Sequence, residues 1–501
     1  MAAAEATHLI IFLILPILPV LFFTFLIKRR SSSPKAPPLP PGPRPWPIVG
    51  NLPHIGTKPH VVFAKLAQRH GPLISLRLGT QLVVVASSPA AAAEILKTHD
   101  RFLSGRYVPH ASYAKNPDKN HMSFGFTFEC NDHWKLLRTV CRTEIFSAKA
   151  VDGQAGIREK KADELVGFLS SKEGEAVRIA ELVFVGVLNF LGTIFFSKEF
   201  IRLEGAGRGG AEINGHMKRL VEVLSRPNLS DFYPFLGGLD LQGLTKKFEG
   251  AAAQIFGAWE EILRERRRGG DSKMPATDFL DALLAKGFTD AQINYLFMEL
   301  FVAGTDTTTS TIEWAMAELM RNPEAMQKLR EELDQQIPTG DAIREPHLHN
   351  LSYLHACVKE TLRLHPAAPL LLPRIAAQSC QVMGFTIPRN AQVFVNVWAI
   401  GRDHTIWENP LVFKPERFLL DSSLDFRGND FEFLPFGGGR RICAGLLMAI
   451  RQIHLTLANL VYQFEWSLPD NALPQQLNMN EKFGVLLEKE QPLVVIPKRR
   501  R

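Results

Sequence analysis

The chain has 501 residues, 46% hydrophobic and 22% charged, the balance of a folded globular protein rather than a disordered one. Its formal charge of +7 is mild and partly terminal, in Lys28-Arg29-Arg30 and Lys498 to Arg501; no nucleic-acid-binding motif accompanies these runs, so nucleic acid is not an expected partner. Cys130, Cys141, Cys357, Cys380 and Cys443 are odd in number and scattered, with no C-x-x-C pair, which argues against a disulfide scaffold or a zinc site and fits a reducing compartment.

In chain order, Leu9 to Ile27 carries no charge and is long enough for one transmembrane helix. It lacks the basic start and small-residue cleavage site of a signal peptide, and Lys28-Arg29-Arg30 follows it directly, so the positive-inside rule keeps the rest of the chain cytosolic. Residues 1–30 thus read as a membrane anchor with its basic stop, 31–45 as a proline-rich linker, and 46–501 as the folded domain. Pro72 to Pro89 carries β-branched runs around Gly79-Thr80 and predicts a hairpin. Trp134 and Arg138 stand one turn apart on one helix face.

Helical patterns then dominate. The clearest spans Asp290 to Arg321, about 48 Å long, and Pro323 ends it. Its centre, Gly304-Thr305-Asp306-Thr307-Thr308-Thr309, is the wrong composition for a helix: glycine costs ~1 kcal/mol relative to alanine, and threonine hydroxyls bond back to the preceding turn. A local rule broken inside a strong element points to a functional site. A second helix, Leu351 to Leu364, puts Glu360 and Arg363 on one face before Pro366, and Arg417 sits in "FKPERF". Near the end, "FGGGRRICAG" (Phe436 to Gly445) places Cys443 among glycines and arginines, an arrangement suited to presenting a thiolate to a large anionic group.

These stretches together resemble the cytochrome P450 family. Phe436, Gly439, Arg441, Cys443 and Gly445 match its F-x-x-G-x-R-x-C-x-G haem signature, Ala303 to Thr308 is similar to its oxygen-activation motif, and Glu360, Arg363 and Arg417 resemble its structural triad. The anchor and proline strut look like those of microsomal members, and the resemblance spans the chain in the family's order. It implies a mainly α fold with a small β-rich region, preceded by one N-terminal transmembrane helix, and heme b with Cys443 as axial thiolate. It also implies O2 as co-substrate, electrons from NADPH through cytochrome P450 reductase, and a single-pass endoplasmic reticulum location with a cytosolic catalytic domain. Arg441, with Trp134, Arg138 and Arg374, would meet the haem propionates. Gly304 and Ala303 would leave room for O2, and Asp306 and Thr307 would relay protons.

By family position, the substrate would meet the loop 107–126, Phe297 and Phe301, Ala303, Leu370 to Leu372, and Phe483 to Val485, a largely apolar set. Glu299 is an acidic candidate by spacing that is expected to face elsewhere. Most plant members have proline after the ligand cysteine; Ala444 stands there. With "NDHWKLLRTVCRTEIFS", "ACVKETLRLHPAAPLLLPR" and "EKFGVLLEKE", this resembles the plant branch that oxidises benzylisoquinoline alkaloids, by hydroxylation or by oxidative coupling. A monooxygenase acting on a monoterpenoid such as geraniol or on a flavonoid is the alternative. A haem protein that does not activate O2 is disfavoured by the intact Asp306-Thr307 pair.

Overall fold

The computed structural model describes residues 37–113, 122–205, 211–268, 278–338, 341–420 and 423–500. The expected anchor, 1–30, and the linker before residue 37 lie outside them. Six helices and one sheet position the site. The helices are α1 (Asp132–Cys141), α2 (Ile179–Phe196), α3 (Leu244–Arg268), α4 (Asp290–Arg321), α5 (Ser352–Leu364) and α6 (Leu446–Gln463). The strands are β1 (Leu73–Leu78), β2 (Gln81–Ala86), β3 (Gly105–Arg106), β4 (Arg374–Ile375) and β5 (Gln392–Val395), in the order β1-β2-β5-β4-β3.

The hairpin forms where the sequence predicts it: β1 and β2 pair antiparallel from Leu73↔Ala86 to Leu78↔Gln81, leaving Gly79 and Thr80 as the turn. At the far edge, β3 pairs with β4 so that Arg106 lies directly across from Arg374. Two like charges at opposed positions repel unless something anionic holds them.

The long helix α4 starts with a capping box. Thr289 Oγ1 accepts from Gln292 N–H, and Gln292 Oε1 accepts from Thr289 N–H at 2.9 Å. It ends at Asn322, before Pro323, and remains helical through its threonine-rich centre. Those hydroxyls bond backwards, Thr305 to Phe301 O at 2.8 Å, Thr307 to Ala303 O at 2.7 Å and Thr311 to Thr307 O at 2.8 Å. They satisfy their donors without breaking the ladder.

α4 packs against α2, α3, α5 and α6. α2 is long and apolar enough to cross a membrane, but 78% of it is buried inside the domain. An aromatic cluster seals it to α4: Phe297 lies 4.5 Å from Phe196 and 5.2 Å from Phe195, ring centre to centre, and Phe301 stacks on Trp259 at 5.6 Å. Each such ring contributes ~1.5–3 kcal/mol by burial.

Glu360, Arg363 and Arg417 come together behind this core. Arg363 forks onto the Glu360 carboxylate at 2.7 and 2.8 Å, and Arg417 Nε donates to it at 3.0 Å. Arg363 also donates to the carbonyls of Gly401, Pro410 and Val412, so α5 is tied to the 401–417 segment by a buried charge whose hydrogen bonds are satisfied. This network holds the fold and does not touch the cavity described next.

Candidate active site

Between α4 and the glycine-rich loop lies a cavity of about 350 Å³. Its walls fall into four groups. The loop contributes Phe436, Gly437, Cys443, Ala444 and Gly445; α4 contributes Glu299, Ala303, Gly304 and Thr307. Arg106, Arg138, Arg374 and Arg441 form a third wall, and Leu191, Leu371, Leu372 and Val485 supply apolar surface.

The loop's shape depends on two glycines with left-handed φ, Gly437 at +71° and Gly439 at +68°. At Gly439 a Cβ would also come within 2.2 Å of Leu96 O and 2.7 Å of a carboxylate oxygen of Asp100. The loop can therefore press against the 94–100 segment only with glycine there. Cys443 N–H donates to Phe436 O at 3.1 Å, closing the turn. Cys443 lines the cavity and is exposed to it. Burial pushes the thiol up; the Gly445 backbone N–H and the Arg138 charge pull it back towards the thiolate.

The arginine wall has four guanidiniums and one carboxylate, Asp100, which Arg374 meets at 3.2 Å. Arg374 also donates to Gly438 O at 3.0 Å, Arg106 to Leu372 O at 2.6 Å, and Arg138 to Ile442 O at 2.8 Å. Arg441 donates to Ser104 O and to Thr127, and lies 4.4 Å over the Trp134 ring. The Nε atoms of Arg106 and Arg374 are buried and have no hydrogen-bond partner among the described residues. Burial, then Arg374 and Arg441, pushes the Arg106 pKa well down. Buried cations in this excess favour an anionic partner, and the propionates of a haem would fit them. Arg106 carries no motif and sequence reasoning missed it; its only sequence signal is a lone arginine after Gly105. Trp134 differs from expectation as well, since its indole N–H is spent on Phe124 O at 3.1 Å and it meets the wall through its ring.

On α4, Ala303 and Thr307 open to the cavity, whereas Asp306 is buried on another face and does not line it. Burial and then Glu488 push the Asp306 carboxyl up to about 7, with Lys218 opposing. The Cβ that glycine omits at Gly304 would meet Leu191 Cδ1 at 2.9 Å, so this glycine accommodates the packing of α2 as well as lining the cavity.

Several expected substrate contacts need correction. Phe297 and Phe301 are fully buried in the aromatic cluster and line no part of the cavity. Leu370 and Phe483 line a smaller adjoining cavity, which shares Leu371, Leu372 and Val485 with the larger one. Glu299, expected to face elsewhere, lines the main cavity. Its carboxylate accepts from the Ser123 hydroxyl, Phe124 N–H at 2.7 Å and Gly125 N–H at 2.9 Å. Of the loop 107–126, residues 114–121 lie outside those described; Ser112 and Phe124 to Phe126 line the cavity.

A helix-rich domain with a cysteine, three buried arginines and the half-buried Arg138 around one cavity fits a haem-thiolate protein. The cytochrome P450 family model matches residues 40–496, and the chain belongs to that family. It is therefore a monooxygenase that uses a haem-thiolate iron and reductase-supplied electrons from NADPH. The chain is 52% identical to the probable (S)-N-methylcoclaurine 3'-hydroxylase isozyme 2 of Coptis japonica over 483 residues, 96% of each chain. It is 48% identical to the (S)-N-methylcoclaurine 3'-hydroxylase isozyme 1 of Papaver somniferum, over 96% of this chain and 99% of the relative. It is also 45% identical to corytuberine synthase of Coptis japonica, over 98% and 99%.

Proposed function

We propose that this enzyme oxidises a benzylisoquinoline-type alkaloid, by hydroxylation or by oxidative coupling, and that Cys443 would hold the iron of its haem. The observation that carries the cofactor part is the arginine wall, whose excess buried charge calls for the carboxylates of a haem beside Cys443. The substrate class rests on full-length similarity to two hydroxylases of N-methylcoclaurine and to corytuberine synthase.

When bound, the haem supplies O2 activation; the protein's part is holding and proton delivery. Arg106, Arg138, Arg374 and Arg441 would hold the propionates, with Trp134 stacked beneath Arg441. Phe436, Gly437 and Gly445 line the cavity beside Cys443 and would face the macrocycle. Thr307 donates its own hydroxyl hydrogen to Ala303 O, leaving its lone pairs to accept a hydrogen bond in the cavity. Asp306 precedes Thr307 on α4, and burial pushes its carboxyl up to about 7, which matches proton transfer at neutral pH. The apolar surface of Leu371, Leu372 and Val485 excludes water and suits a flat aromatic ligand.

The proposal includes residues 1–30 as an endoplasmic reticulum anchor, 31–45 as its linker and 46–501 as a cytosolic catalytic domain. An exposed apolar surface supports a membrane-facing side: Trp46 and Ile48, then Phe235, Leu239 and Leu241, are each at least 60% exposed. Tyr233, whose hydroxyl lies 3.4 Å from Ile48 O, bridges the two segments. Such a patch marks an interaction or membrane surface.

The test is turnover in microsomes with a plant reductase and NADPH, offering N-methylcoclaurine, reticuline, geraniol and a flavanone. An alkaloid product gaining one oxygen indicates hydroxylation, and one losing two hydrogens indicates coupling. Turnover of geraniol or the flavanone alone contradicts the proposal.

A further inference from the structure

Beside the main cavity lies the smaller one, about 160 Å³, and Val485 lines both. Val485 sits in the loop of a hairpin whose strands, β6 (Glu481–Phe483) and β7 (Leu487–Lys489), pair antiparallel from Glu481↔Lys489 to Phe483↔Leu487. A two-stranded ribbon this short is not stable alone, so its place is set by what it is tied to. β7 is tied through its backbone: Leu487 N–H donates to Ala367 O at 2.9 Å, and Leu487 O accepts from the Ser310 hydroxyl of α4 at 2.9 Å. In the loop, Val485 N–H donates to Ser225 Oγ at 2.9 Å.

β6 is tied through the side chain of Glu481, which lines neither cavity. Its carboxylate accepts from the Trp398 indole N–H at 3.1 Å and from Arg402 at 2.9 Å; His60 Nε2 lies at 3.3 Å and His365 Nδ1 at 3.6 Å. Burial pushes the carboxyl up, but the His365 and His60 rings and the Arg402 charge outweigh it and hold it well below the usual carboxylate range. An ionised carboxylate only accepts, and Trp398 and Arg402 only donate, so an amide nitrogen in place of either oxygen would face donors. His60 carries this hub to the cavity wall, because its ring stacks on Phe483 at 5.1 Å and Phe483 lines the smaller cavity.

We propose that Glu481 is a positioning residue for ligand recognition: it fixes the hairpin that holds Phe483 and Val485 where the two cavities meet. The part of a ligand that extends from the main cavity into the smaller one then meets a wall that is already ordered. The role is independent of which class of substrate is oxidised.

The test uses full-length, haem-loaded enzyme and two ligands that bind the iron through an imidazole nitrogen. One is imidazole itself; the other is 1-(biphenyl-4-ylmethyl)imidazole, whose rings extend well beyond the iron. Dissociation constants are read from the shift of the haem absorbance band for wild type, Glu481→Gln and Trp398→Phe, the last removing one donor to the carboxylate while keeping a ring in its place. The expected result is imidazole binding within about twofold of wild type in both variants, with the longer ligand weakened roughly fivefold or more in Glu481→Gln and by a smaller factor in Trp398→Phe, because a loosened hairpin has to be ordered on binding. A merely structural role would lower the yield of haem-loaded protein and leave the ratio of the two constants at its wild-type value. An unchanged ratio, whether from no effect or from equal weakening of both ligands, overturns the proposal. If Glu481→Gln loads no haem, the ratio in Trp398→Phe decides alone.

Discussion

Asp306 shows how burial sets a function that its side chain alone does not have. Its pKa stands near 7 instead of 3.8 because the helix core desolvates it and Glu488 repels its charge. It is therefore protonated on the acid side of neutrality and ionised above. Proton delivery through Thr307 should fall as pH rises through about 7, and in Asp306→Asn that alkaline limb should vanish while NADPH consumption becomes uncoupled from product. The stability sign agrees: the folded state holds this proton more tightly than the unfolded one, so the carboxyl's contribution to stability decreases as pH rises from about 4 to 7. A melting-temperature series with wild type and Asp306→Asn checks it, and a variant with the wild-type slope contradicts the assignment. Arg106 gives a second test. Arg106→Ala should lower haem retained per protein, measured by haem extraction, without unfolding the apoprotein, because the alanine relieves like-charge repulsion across β3 and β4. Undiminished haem content would exclude Arg106 from cofactor binding.

α4 shows where reading a sequence succeeds and where it stops. Its span was legible from its apolar period and from Pro323, because chain termination is local chemistry, whereas the capping box of Thr289 and Gln292 emerged only in the structure. Its apolar period was legible too, but a period identifies a buried face without saying what it is buried against. Phe297 and Phe301 were therefore expected at the substrate and instead seal α4 to α2 and α3. Two residues along a helix turn it by about 200°, so the face carrying Glu299 and Ala303 points away from those rings. The sparse stripe of Glu299, Ala303 and Thr307 was the available signal for the cavity. Phe297→Ala should cost ~3–5 kcal/mol of stability and leave the substrate preference unchanged, whereas Val485→Phe should alter preference with little loss of stability. Melting temperatures and competitive turnover of two alkaloids separate these outcomes; a changed preference in Phe297→Ala would return that ring to the pocket.

For the whole molecule, the long-range assembly was legible only where motifs announce it. The spacing of Glu360 and Arg363 was visible, but that Arg417, 57 residues from Glu360, completes the charge cluster depends on the family resemblance and on the fold. The partnership of Arg106 with Arg374 across 268 residues was invisible, since strand pairing and not sequence proximity creates it. The apolar patch of Trp46, Ile48, Phe235, Leu239 and Leu241 likewise assembles from distant segments. Chain lacking residues 1–36 should still bind lipid vesicles in a flotation assay, and further substitution of Phe235→Ser and Leu239→Ser should release it; binding that persists would locate the membrane contact elsewhere. The central claim is that Cys443, the one cysteine among the described residues lining the cavity, holds the haem iron as its thiolate. The most direct measurement is the ferrous carbon monoxide difference spectrum of wild type and Cys443→Ser. The wild type should show the strongly red-shifted Soret band of a thiolate-ligated haem and the variant should lack it; a variant that keeps that band would contradict the account.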